Sequence, residues 1–152
     1  MAGAMFTIRR CRPEDAAAVL DLWREAEATA SPTDAVAEIV RAASAPALCF
    51  VLAEVEGRLA GSAMGGFDGW RGNVYRLVVR PECRRRGIAR ALVGEIERHF
   101  AAAHVTRVSA LVERDHPWAV AFWSAVGYEP DARMARFVKT AGPGSGPGSG
   151  PG

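Results

Sequence analysis

The chain has 152 residues, of which 49% are hydrophobic and 24% charged, with a formal net charge of +2. That length suits one compact domain with enough apolar material for a core, and so small a net charge excludes a general nucleic-acid or membrane binder, leaving only local basic clusters. Cys11, Cys49 and Cys83 lack CxxC spacing and His99, His104 and His116 are unpaired, which excludes a disulfide framework and a zinc site, so no metal is expected.

"FTIRR", Phe6 to Arg10, reads as a short strand, and Pro13 with Glu14 and Asp15 opens a helix whose positive first turn favours acidic residues. Val19, Leu20, Trp23 and Ala26 form its buried stripe, and after "SPTD" the spacing of Val36, Ile39, Val40 and Ala43 predicts a second helix. Three strands follow, "ALCFVLAEV", "RLAGSAMGGF" and "NVYRLVVR", joined by the turn signals "EGR" and "DGWRGN", as in an antiparallel meander.

A helix is predicted from Arg84 to about Ala103, burying Ile88, Leu92, Ile96 and Phe100, followed by a strand from Arg107 to Glu113. Strand, helix and strand in succession imply parallel pairing. A last helix spans Pro117 to Val126, with Ala119, Phe122, Trp123 and Val126 on one face, and Gly127 stops it. One or two final strands are expected around Tyr128 and in "RMARFVK". The fold class is α/β (α+β), a mixed and mostly antiparallel sheet flanked by about four helices. Residues 1–140 read as one domain and 141–152, which hold "GPGSGPGSGPG", as a disordered Gly/Pro/Ser tail or linker; Met5 is a candidate natural start. No segment approaches the roughly 18 apolar residues that span a bilayer, and a cytoplasmic protein is expected.

The stretch "LVVRPECRRRGIARALVGEI" places three arginines and a glycine where a strand gives way to a helix. One reading is a solvated basic face. The other is an anion site: a helix start carries about four unpaired N–H groups, Gly87 admits a phosphate close to the backbone, and Arg85 and Arg90 supply charge-assisted hydrogen bonds.

Arg84, Arg85, Arg86, Gly87, Ile88 and Ala89 resemble the acetyl-CoA signature of the GNAT N-acetyltransferase superfamily: Gln or Arg, two residues, Gly, one residue, then Gly or Ala. "DHPWAVAFWSAVGYEP" resembles that family's late motif, and "AEVEGRLAGSAMGGFDGWRG" is similar to the hairpin in small members that carry GG, an aromatic and DG. The resemblance runs from about Phe6 to Lys139. It implies acetyl-CoA as co-substrate, with the pantetheine arm lying between two splayed central strands. Leu77, Val78 and Val79 would meet it through backbone groups, and Arg84 and the turn from Arg85 to Arg90 would hold the pyrophosphate.

The implied reaction is direct transfer of acetyl to an amine, with a backbone N–H on the splayed strand stabilising the oxyanion. A lysine ammonium of pKa about 10.4 costs roughly 4 kcal/mol to deprotonate at pH 7.4, and an N-terminal amine near 8 costs under about 1. Only the first demands a strong base. This chain departs from the family at three places. Asn73 stands where some members carry a catalytic glutamate, leaving Asp68, Glu113 and Asp115 as candidate bases through water. Trp123 stands where many carry a tyrosine that protonates the CoA sulfur; it is expected in the core, with Tyr75 as candidate substitute. His116 replaces an asparagine that contacts CoA, and either donates to the cofactor or merely sits at the helix start before Pro117. Cys83 beside the basic turn is either a stabilised thiolate or a buried spacer.

Phe67, Asp68 and Trp70 are candidate acceptor-pocket residues, although a tight hairpin needs the same glycines and aspartate. The expected acceptor is a protein N-terminus, a lysine side chain or a small-molecule amine, with no nucleic-acid or membrane partner, and the expected state is monomer or homodimer. The competing reading is a non-catalytic CoA-binding module.

Overall fold

Residues 5–142 are described by a computed structural model, so the tail predicted from residue 141 lies almost wholly outside the described residues. Strand β1 (Thr7–Arg10) leads through a 3-10 turn at Pro13–Asp15 into helix α1 (Ala16–Glu25) and helix α2 (Val36–Ser44). Strands β2 (Leu48–Val55), β3 (Arg58–Phe67) and β4 (Gly72–Val79) form the meander, followed by a 3-10 turn at Pro81–Cys83, helix α3 (Ile88–Ala102), strand β5 (Val108–Ala110) and helix α4 (Pro117–Ala125). The sheet order is β1-β2-β3-β4-β5, antiparallel except for the parallel pair β4–β5.

Alternation along β2 divides the core into two layers. Cys49, Val51 and Ala53 pack with Ile88, Leu92, Ile96 and Phe100 of α3, and with Trp123 of α4. Phe50 and Leu52 pack on the opposite side with Val19, Leu22 and Trp23 of α1 and Ile39 of α2. Gly65 near the end of β3 permits the first of these contacts, because a Cβ there would lie 2.5 Å from Ile96 Cγ2 and 3.0 Å from Phe100 Cζ. The helix therefore lies closer to the sheet than any side chain at 65 allows.

Three expectations need correction. Helix α3 begins at Ile88, not Arg84, because Arg85 and Gly87 take φ of +62° and +82°, outside the helical region. The strand expected over 107–113 shortens to Val108–Ala110. The final strands around Tyr128 and in "RMARFVK" are absent among the described residues, and Met134, Phe137 and Val138 are exposed. Asp131 turns the chain locally instead: its Oδ1 accepts from Arg133 N at 3.2 Å and from Arg133 Nε at 3.1 Å, while its carbonyl accepts from Met134 N. Such short-range bonds compete with strand pairing.

Candidate active site

The ladder between β4 and β5 covers only Gly72↔Val108, Asn73↔Ser109 and Val74↔Ala110. Gly72 N donates to Arg107 O at 3.0 Å and Leu111 N donates to Val74 O at 3.3 Å; beyond that point β4 continues five residues without β5 beside it. A β-bulge lies in that stretch. Ser62 and Met64 pair with Val78 and Tyr75, so Ala63 opposes both Arg76 and Leu77, and Arg76 takes φ +53°. The extra residue reverses the alternation: Gly72 and Val74 face β5 below the bulge, whereas above it Arg80 N bonds Ala60 O on β3. By period two, Leu77 and Val79 then turn their N–H and C=O groups into the gap.

At the mouth of the gap sits the arginine turn. The first helical bond of α3 runs from Ala91 N to Gly87 O, so the N–H groups of Ile88, Ala89 and Arg90 precede it, and no side chain caps them. Gly87 has the left-handed conformation, and the space where a Cβ would stand is open. Arg85, Arg86 and Arg90 are exposed, whereas Arg84 is partly buried, its guanidinium carbon 4.7 Å from the Trp118 ring centroid. Arg84 Nε is buried and has no hydrogen-bond partner among the described residues. An uncapped helix start, an open glycine and a desolvated guanidinium N–H together fit a pyrophosphate.

Buried charge anchors the strand that feeds this turn. Arg80, 6% exposed, donates from Nε to Leu59 O at 2.6 Å and pairs with Glu25, whose carboxyl the guanidinium holds below its ordinary range. Cys83 is buried, which favours the spacer reading over a reactive thiolate.

Helix α4 forms the far wall. His116 Nδ1 accepts from Ala119 N at 3.4 Å, so the imidazole does cap the helix, and a neutral ring accepting there carries its proton on Nε2 as a donor. Trp118 stacks on Phe122, and Trp123 is buried at 6% exposure with its edge against Tyr128. The indole at 123 is part of the core.

On the α1–α2 side the segment between the two helices is tied across the open strands. Arg76 donates from Nη1 to Thr29 O at 2.9 Å and from Nη2 to Asp34 Oδ1 at 2.5 Å, and Thr29 Oγ1 donates to Glu113 Oε2 at 2.6 Å. Tyr75 is 37% exposed, with its ring beside Gly66. Asp68 is committed to its turn: Oδ1 accepts from Trp70 N at 2.9 Å and Arg71 N at 2.8 Å, and these backbone bonds hold the carboxyl below its ordinary range. Trp70 is largely exposed under the Arg71 guanidinium, at 4.1 Å, and Phe67 packs on the core. The structure thus joins Glu113 to the segment over the gap and gives Asp68 a turn to hold. Arg76 escaped the sequence reading, Thr29 and Asp34 fall within the segment from Ala28 to Ser44 that is expected to set substrate identity, and Trp118 entered only as part of the late motif, where its place beside Pro117 at a helix start was the available signal. Among the described residues no group of three or more His, Cys, Asp or Glu side chains is placed to hold a metal, and no helix is long and apolar enough to cross a membrane.

The sequence model of the Acetyltransferase (GNAT) family matches residues 16–128. An acetyltransferase of Pectobacterium atrosepticum is 34% identical over 122 residues, covering 80% of this chain and 86% of that protein. This chain belongs to the GNAT acetyltransferase family. Among solved structures, the PaiA N-acetyltransferase of Thermoplasma acidophilum in complex with coenzyme A superposes with a TM-score of 0.75 at 16% identity, covering 83% of this chain and 91% of that one. AAC(6')-Iy in complex with the bisubstrate analogue CoA-S-monomethyl-acetylneamine gives a TM-score of 0.74 at 16% identity, covering 90% and 99%. At such identities the likeness shows the shared fold.

Proposed function

We propose that the protein is an acyl-CoA-dependent N-acyltransferase that moves acetyl from acetyl-CoA to a primary amine by direct attack in a ternary complex. The observation that carries this is the early end of the β4–β5 ladder immediately beside the uncapped start of α3. Leu77 and Val79 offer backbone groups for the amides of a pantetheine arm, with Val78 between them packed into the core. Arg84, the backbone from Arg85 to Arg90, and Gly87 would hold the pyrophosphate, and His116 Nε2 offers a donor from the opposite wall. Acetyl-CoA supplies an activated thioester carbonyl.

The residues of this chain do the rest. A gap-facing N–H of β4 stabilises negative charge developing on the carbonyl oxygen, where a preorganised donor is worth more than water. Glu113 is the candidate to take the proton of the incoming ammonium, directly or through a water. Tyr75 is the candidate donor for the departing sulfur, and a thiol near pKa 8.5 leaves tolerably without one. The acceptor is a protein N-terminus, a lysine or a small-molecule amine, entering from the segment over 27–35 and the Phe67–Trp70 turn. The protein works in the cytoplasm as a monomer or homodimer.

The buried Trp123, which cannot protonate a thiolate, favours one second reading: a CoA-binding module without catalysis. The test has two stages. Calorimetry with acetyl-CoA should give micromolar binding, about −8 kcal/mol, with most of it lost in a folded Arg85→Ala, Arg90→Ala double variant. Thiol release is then followed with spermidine, a lysine derivative blocked at its α-amine, a peptide with a free N-terminus and an aminoglycoside. Binding without release for every amine selects the module, and a folded protein that binds no acetyl-CoA at millimolar ligand ends both readings.

A further inference from the structure

Ser62 is a fully buried hydroxyl in the middle of β3, where an apolar side chain would pack without cost. Its Oγ accepts from Trp23 Nε1 at 2.9 Å and donates to Arg76 O at 3.0 Å. Arg76 then returns to the same tryptophan, with its guanidinium carbon 5.0 Å from the Trp23 ring centroid. The circuit closes on three side chains that are far apart in sequence, and it closes around the one residue of β4 with positive φ. The serine's donor and one acceptor site are both used, and the tryptophan's only donor is used.

We propose that Trp23, Ser62 and Arg76 are positioning residues that hold the β4 bulge and thereby decide which backbone groups of β4 enter the gap. The inference rests on the acyl-CoA reading and names the residues through which that site is set. Without the bulge, strict alternation carries on from Gly72 and Val74, and Arg76 and Val78, not Leu77 and Val79, face the gap. The Arg76 carbonyl is pulled out of the regular ladder by Ser62 Oγ, and the hydroxyl is held in that direction by the indole N–H. None of the three touches the reacting atoms. The same guanidinium carries the bonds to Thr29 O and Asp34, so the segment over the acceptor side and the register of the oxyanion strand are fixed by one side chain.

The test uses Ser62→Ala, which removes both bonds, and Trp23→Phe, which keeps an aromatic ring and removes the N–H donor along with the rest of the indole. Amide exchange is read at Val78, which pairs with Ser62 next to the bulge, and at Val51 in β2 as an internal reference. Exchange at Val78 should rise at least tenfold in both variants with Val51 within threefold of the wild type. The kcat for acetyl transfer to the best amine of the panel should fall at least tenfold, and the CoA Kd should rise at least threefold, because the pantetheine arm meets the same gap-facing backbone groups of β4. Equal acceleration at both amides, or a kcat that falls only with the folded fraction, overturns the proposal, as does unchanged exchange at Val78 in a folded variant. If Ser62→Ala fails to fold, Trp23→Phe decides alone. A wild type that binds no CoA removes the acyl-CoA reading, while the exchange at Val78 still reports whether the circuit holds the bulge.

Discussion

Thr29 Oγ1 donates to Glu113 Oε2 at 2.6 Å, joining two residues 84 positions apart and fastening the segment between α1 and α2 to the chain just past β5. The bond leaves Glu113 exposed and its other carboxylate oxygen available, which suits a group that must meet an incoming ammonium.

Glu113→Gln keeps an oxygen for Thr29 and removes the basicity. With a lysine side-chain amine, kcat/KM should fall about 100-fold. A peptide N-terminus, which costs under about 1 kcal/mol to deprotonate at pH 7.4, should lose less than about threefold. Steady-state rates from about pH 6 to about 9 check this, and an equal loss for both amines would make the Thr29–Glu113 bond a structural tie.

The order of elements through α4 was legible because it is written in local pattern. Ile88, Leu92, Ile96 and Phe100 recur at helical spacing and all are buried, and the crossover through α3 does yield a parallel β4–β5 pair. The arginine turn was legible for a similar reason, since Arg84 to Ala89 are contiguous in the chain. Arg76 was not, because its interest lies in a positive φ and in partners at 23, 29, 34 and 62 that only the tertiary fold assembles. The final strands failed for the opposite reason: "RMARFVK" has strand-like composition, but Asp131 bends the chain ahead of it and β5 offers an edge of only three residues.

Gly65 also carried a double meaning in the sequence. It belongs to the GG pair of the hairpin that resembles small family members, yet its geometry serves α3. Gly65→Ala should destabilise the protein by about 1–3 kcal/mol, because Ile96 and Phe100 lie in a filled core and cannot both move aside. At this chain length that lowers Tm by about 2–4 °C per kcal/mol. Urea and thermal melts check it, and an unchanged midpoint would show that α3 rides freely on the sheet.

Asp15 supplies a pH test of the first strand. Its two oxygens take Arg9 Nη1 at 2.7 Å and Nη2 at 2.9 Å, and Oδ2 also takes Arg12 N at 2.8 Å. The Arg9 guanidinium, ahead of the backbone bond, holds the carboxyl below its ordinary range. A depressed folded-state pKa means that the stabilisation is fully present above the unfolded value of about 3.9 and is lost as pH falls through the folded one. Asp15→Asn should therefore cost about 1–3 kcal/mol at pH 7, with the difference from wild type shrinking steadily below about pH 4. Urea titrations at about pH 7 and about pH 3 measure it; a gap of constant size would locate the loss elsewhere than in the ion pair.

Trp118 is where the cofactor reading makes its sharpest demand on one side chain. The indole lies under the Arg84 guanidinium at 4.7 Å, and Arg84 Nε is buried without a protein acceptor among the described residues. Leaving a buried donor unsatisfied costs about 1–3 kcal/mol, more when it is charged, and a phosphate oxygen removes that cost. A guanidinium held over an aromatic ring is already ordered before the ligand arrives, so less entropy is lost on binding. Trp118→Leu should weaken CoA about tenfold, and Trp118→Phe, which keeps a ring face, by less. Pantetheine, which lacks the pyrophosphate, should bind both variants within about twofold of the wild type. Calorimetry with the two ligands separates the possibilities: an equal loss for CoA and pantetheine would mean that Trp118 shapes the wall of the gap through Phe122, and that the phosphate is held by the start of α3 alone.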